Sequence, residues 1–81
     1  MAISGKHVAA ARQFLDMSQL QLAEAAGVSD ETIMRWETGQ TIPRRETVAK
    51  IQAALERRGI EFYNSGEPGV RLRPSKAVIP S

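Results

Sequence analysis

The sequence predicts a mainly α domain of four helices with a C-terminal β-hairpin. Three observations predict it. Apolar residues recur at helical spacing in four separate stretches ending at Leu55. Gly27, Gly39 and Gly59 each follow such a stretch, where a helix stops. After Gly59 the period changes from 3.6 to 2. Ile60 and Phe62 alternate with Glu61 and Tyr63, and beyond Ser65-Gly66-Glu67-Pro68-Gly69, Val70 and Leu72 alternate with Arg71 and Arg73.

The length of 81 residues bounds the chain to one domain with a small core, marginally stable alone and with room for oligomerisation. Hydrophobic residues at 42% and charged residues at 25% are ordinary globular usage, which argues against a disordered or fibrous chain. The absence of cysteine excludes disulfides and thiol chemistry and suits a reducing cytoplasm, the expected location. No secretory leader and no membrane-spanning stretch is expected, since no apolar run is long enough.

Taken in order, residues 1–3 are expected to fray. Ser4 is expected to cap a first helix running to about Leu15, with Val8, Ala11 and Leu15 inward and Arg12 beside them. His7, the only histidine, reads as a solvated first-turn side chain, because a metal site needs partners that the chain lacks. Asp16-Met17 is a connector. Ser18 and Gln21 form a capping box at the start of a second helix, whose stripe is Leu22, Ala23 and Ala26. Gly27 supplies the positive φ of a sharp turn. Val28 turns inward, Ser29 caps a third helix, and Ile33, Trp36 and Glu37 form its inner face.

The loop Gln40-Thr41-Ile42-Pro43 follows, with Ile42 expected under the core. A fourth helix is expected from about Arg45 to Arg58, its stripe Val48, Ile51, Ala54 and Leu55. Glu46 in its first turn and Arg57 and Arg58 in its last complement the helix dipole. The hairpin is expected to end at Pro74 and residues 74–81 to form a disordered tail. The expected division is therefore 1–59 for the helical domain, 60–73 for the hairpin extension and 74–81 for the tail.

Net charge is +2, but its distribution is uneven. From Ser18 to Thr41 the acids Glu24, Asp30, Glu31 and Glu37 face one base, Arg35, for a net of −3. From Ile42 to Arg58 the bases Arg44, Arg45, Lys50, Arg57 and Arg58 outweigh Glu46 and Glu56, for a net of +3. If the chain holds phosphates, most of the positive charge lies outside residues 18–41.

Two short helices joined by a tight turn are the helix-turn-helix pattern. Ser18-Gln19, Leu22-Ala23, Ala26-Gly27-Val28-Ser29, Thr32-Ile33, Trp36-Glu37, Gly39 and Pro43 together resemble the phage-repressor-like (Cro/C1, XRE) helix-turn-helix family over about residues 6–58. The resemblance implies a lambda-repressor-like four-helix domain that binds double-stranded DNA and regulates transcription. It implies that Ser18 and Gln19 at the start of the second helix lie near a phosphate, as helix N-terminal N–H groups favour. It matches the base-reading positions to Asp30, Glu31 and Arg35, with Ser29 and Thr32 on the same side. It lays Gln40, Arg44 and Arg45 along the backbone of the duplex. It also implies a buried ion pair between Arg12 and Glu37. Glutamines or basic residues are more usual in the family where this chain has Asp30 and Glu31. The fragment Gly59-Ile60-Glu61-Phe62 with Gly69-Val70-Arg71-Leu72-Arg73 resembles an extension found on some short bacterial regulators of this kind.

No phosphate loop, nucleophile–base set or metal cluster is present in the sequence, so no enzyme activity, cofactor or small-molecule ligand is expected. The rival reading is a protein-interaction module, antitoxin-like or an anti-repressor partner, whose acidic helix binds a basic protein. A homodimer is expected on a palindromic site, because one such motif reads too few base pairs to be selective. The free edge of the hairpin is the expected dimer contact.

Overall fold

A computed structural model of the chain describes residues 3–63 and 69–72. Residues 1–2, Asn64, residues 65–68 of the expected hairpin loop, the expected strand end at Arg73 and the expected tail 74–81 lie outside the described residues. Four helices are followed by two strands: α1 Gly5–Phe14, α2 Gln19–Ala26, α3 Asp30–Glu37, α4 Arg45–Glu56, β1 Ile60–Tyr63 and β2 Gly69–Leu72.

The ends of the helices follow from local chemistry. Ser4 Oγ accepts from the His7 N–H, and the Ser4 N–H donates to His7 Nδ1 at 2.9 Å, which closes a capping box. His7 is half-buried and caps the helix, contrary to the solvated side chain expected from the sequence. The spacing Ser-x-x-His is that of a capping box with imidazole as the acceptor. At the C-terminus of α1, the Met17 N–H reaches the Arg12 carbonyl and the Asp16 N–H the Gln13 carbonyl. This is a Schellman closure, with Asp16 left-handed at φ 55°.

Ser18 and Gln21 form the expected reciprocal box on α2. Gly27 ends that helix at φ 74°, and the Val28 N–H closes back on the Ala23 carbonyl. Ser29 accepts from the Thr32 N–H to start α3. Pro43 precedes Arg44 at the N-cap of α4, which has no side-chain cap bond. The helix ends at Glu56, two residues short of the expected Arg58. Arg58 Nη1 still donates to the Ala54 carbonyl at 3.0 Å and serves the helix end from outside.

The core gathers Val8 and Ala11 of α1, Leu22, Ala23 and Ala26 of α2, Ile33 and Trp36 of α3, Ile51, Ala54 and Leu55 of α4, and Ile60 and Phe62 of β1. Four of these twelve are alanines, so the helix backbones approach closely. Leu15, Val28 and Val48 pack half-buried around it. Ile42 does not join it. The side chain is 86% exposed, against the expectation of a tucked position. The N–H groups of Gln40 and Thr41 both turn back to the Arg35 carbonyl, and the core at that end is already closed by Trp36.

The strands pair antiparallel, Ile60 opposite Leu72 and Phe62 opposite Val70. Ile60 and Phe62, two residues apart on β1, share the buried face of the ribbon. β1 lies against α4 and β2 against α1, so the ribbon is packed on the helices.

Candidate nucleic-acid interface

The candidate interface is the unit α2–Gly27–α3 with the start of α4. Gly27 has open space where a Cβ would stand, so its role is the backbone turn alone. Beyond that turn α3 lies with Ile33 and Trp36 buried, while Asp30, Glu31 and Arg35 stand exposed. The first-turn acids Asp30 and Glu31 are favoured by the helix dipole. Arg35 Nη2 and Glu31 Oε1 form an ion pair at 3.1 Å, an i,i+4 pair whose side chains remain 48% and 60% exposed. Such a pair contributes only about 0.3–0.5 kcal/mol to the helix.

The expected DNA-facing residues divide into two groups in the structure. The Ser18 and Ser29 hydroxyls are used in capping, and Ser29 Oγ and Thr32 Oγ1 hydrogen-bond at 2.8 Å. Gln40 Nε2 donates to Thr38 Oγ1 at 3.2 Å, which ties the loop after α3 to its end. Gln19 directs its amide inward, Nε2 donating to Glu37 Oε1 at 3.0 Å. The Gln19 backbone N–H stands in the first turn of α2, where such groups have no intrahelical partner. Asp30, Glu31, Arg35, Arg44 and Arg45 are left as charged side chains exposed to solvent.

Arg12 and Glu37 form the pair that holds this unit to α1. Arg12 Nε donates to Glu37 Oε2 at 2.9 Å, and Arg12 Nη2 to Glu37 Oε1 at 3.0 Å. Arg12 Nη1 donates to the Met17 carbonyl at 2.8 Å. The Glu37 side chain is only 6% exposed and that of Arg12 17%, so the pair is largely out of water. Its hydrogen bonds with the Glu37 carboxylate raise the Arg12 guanidinium above its ordinary value, against the opposing cost of burial. Three elements thus meet at one carboxylate: α1 through Arg12, α2 through Gln19 and α3 through Glu37 itself. The link from Gln19 is one the sequence did not reveal.

Gly5 is a second structural residue that sequence reasoning passed over. A Cβ there would run into the Trp36 carbonyl and the Glu37 Cα, so α1 begins in direct backbone contact with the end of α3. A glycine in the first turn of a helix was the available signal. Among the described residues, no helix is long and apolar enough to cross a membrane, and no group of three His, Cys, Asp or Glu side chains is placed to hold a metal.

This geometry is that of a helix-turn-helix unit carried on a small helical domain. The profile of the helix-turn-helix family matches residues 8–62, from α1 through Phe62 of β1. The chain belongs to that family, in its Cro/C1-type branch. It is also 44% identical, over 50 residues, to an uncharacterized HTH-type transcriptional regulator of Haemophilus influenzae. The matched stretch is 62% of this chain and 51% of the relative, so the likeness spans about half of that protein.

Proposed function

We propose that this protein is a sequence-specific DNA-binding regulator of transcription that lays α3 in the major groove and binds a palindromic operator as a homodimer. The observation that carries this reading is the two-sidedness of α3, with Ile33 and Trp36 buried while Asp30, Glu31 and Arg35 stand exposed. A short helix held on one side and open on the other is what groove entry requires. Its family membership and its likeness to an HTH-type transcriptional regulator support the same reading. Arg44 and Arg45, exposed at the start of α4, are the phosphate contacts, and they supply the positive charge that α3 lacks. The first turn of α2 contributes the Gln19 backbone N–H. The Gln19 side chain is engaged with Glu37 and is a support for this contact.

The test is selection from randomised duplex DNA, followed by titration of the enriched sequence at several salt concentrations. The affinity should fall with salt at a slope of about −0.9 per phosphate neutralised. Arg44→Ala and Arg45→Ala should weaken binding to every sequence alike and make that slope shallower. Failure to enrich any sequence would overturn the proposal. One observation favours a second reading: the solvent face of α3 carries Asp30 and Glu31, with its one arginine paired to Glu31. An interaction module for a basic protein would use that face and would show no duplex binding even at low salt.

A further inference from the structure

We propose that Glu31 and Arg35 act as one reading unit for a single G·C base pair, Arg35 taking the guanine and Glu31 the cytosine. This rests on the reading of α3 as a groove-entering helix and specifies what that helix recognises.

The argument is one of geometry and donor–acceptor pattern. The two side chains lie one turn apart on the exposed face of α3, and their tips meet at 3.1 Å through Arg35 Nη2 and Glu31 Oε1. Base pairs in a duplex are stacked about 3.4 Å apart. Groups already in contact therefore address the same pair or its immediate neighbour, not two distant positions. Side by side, the unit offers guanidinium N–H donors and a carboxylate acceptor. In the major groove a G·C pair presents the complement across its edge: N7 and O6 of guanine accept, and N4 of cytosine donates. An A·T pair presents an adenine N7 acceptor, an N6 donor and a thymine O4 acceptor. The carboxylate would there face the thymine oxygen, two acceptors with no proton between them. The same carboxylate that discourages phosphates thus becomes selective for the pair whose donor lies at the end of the groove edge, beyond two adjacent acceptors.

The pair also prepares the arginine. The contact to Glu31 is made through Nη2, which leaves the other N–H groups of the planar guanidinium for the base. Glu31 is in this sense a positioning residue for Arg35 as well as a contact of its own. An exposed ion pair of this kind contributes little to folding, so changing it should alter recognition and leave the fold in place.

The experiment uses the full chain, its Glu31→Gln and Arg35→Ala variants, and selection from the same randomised duplex library. Wild type should enrich a site with one G·C pair that both variants relax, each by about tenfold relative to A·T at that position, with melting temperatures close to wild type. Placing 7-deazaguanine at that position, which removes N7, should weaken wild type severalfold and leave Arg35→Ala indifferent. A Glu31→Gln protein that keeps the full wild-type preference at every position would overturn the joint reading, as would variants that relax two separated positions. If no duplex is enriched by wild type, the DNA-binding proposal itself falls, an outcome distinct from an enriched site without the shared G·C pair.

Discussion

At the scale of single residues, Glu37 decides most. Its carboxylate accepts from Arg12 twice and from Gln19 once while nearly out of water. Removing Arg12 strips two of three donors from a carboxylate that is only 6% exposed and takes the Arg12 donor from the Met17 carbonyl. Breaking such a pair on one side costs about 3 kcal/mol or more. Arg12→Ala should therefore lower the melting temperature by more than about 10 °C in a domain this small. Thermal unfolding followed by circular dichroism checks it, and an unchanged midpoint would reduce the pair to a surface contact. Gly5 is the second such position. Gly5→Ala drives a methyl into the backbone of Trp36 and Glu37, and backbone yields less readily than a side-chain tip. The expected loss is about 1–3 kcal/mol in denaturant unfolding, despite the better helix propensity of alanine. The sequence made the Arg12–Glu37 pairing legible only through the family resemblance. Gln19 joining the pair and the contact at Gly5 were not legible, because both depend on how α1, α2 and α3 cross. Periodicity within one helix carries no record of that crossing.

At the scale of elements, the helix ends were the legible part, since capping is a property of a few adjacent residues. Ser18 with Gln21, Ser29, Gly27 and Gly39 stand where their local chemistry places them. Ile42 shows the limit. An isolated isoleucine in a loop carries no period, and nothing local told that the turn would fold back on the Arg35 carbonyl and leave it outside. Two of the left-handed positions allow a prediction of opposite signs. Gly27 has φ 74° and open space around it, so Gly27→Ala should cost only the backbone strain of a left-handed alanine, about 1–2 kcal/mol. Asp16 has φ 55° at the equivalent place after α1, and Asp16→Gly should relieve strain there. The gain is expected to be below about 1 kcal/mol, because glycine also adds freedom to the unfolded chain. Equilibrium unfolding of the two variants side by side checks both signs. If Gly27→Ala is neutral, the turn between α2 and α3 is looser than its geometry implies.

At the scale of the whole molecule, the proposed dimer has to turn one groove-entering helix into two. α3 is eight residues, roughly 12 Å of helix, enough for a few base pairs and too few for selectivity. A homodimer placing two such helices about 34–36 Å apart would match a palindromic site. The hairpin is the element that supports this. Ile60 and Phe62 are buried in the core, so β1 is anchored to the helical body and could transmit a fixed orientation to a second copy. Among the described residues the sheet has two strands, and an outer edge of such a ribbon offers N–H and C=O groups to a two-fold mate. A competing surface is lined by the exposed Ile42, the half-buried Ile3 and the edge of the buried Trp36. Sedimentation equilibrium of the full chain and of Ile42→Ser separates the two. Dimerisation of both proteins with the same constant is the result expected of a hairpin interface. A dimer abolished by Ile42→Ser would move the interface to the face of Ile42. A chain that is monomeric at concentrations where it binds its operator would mean that pairing takes place on DNA or not at all.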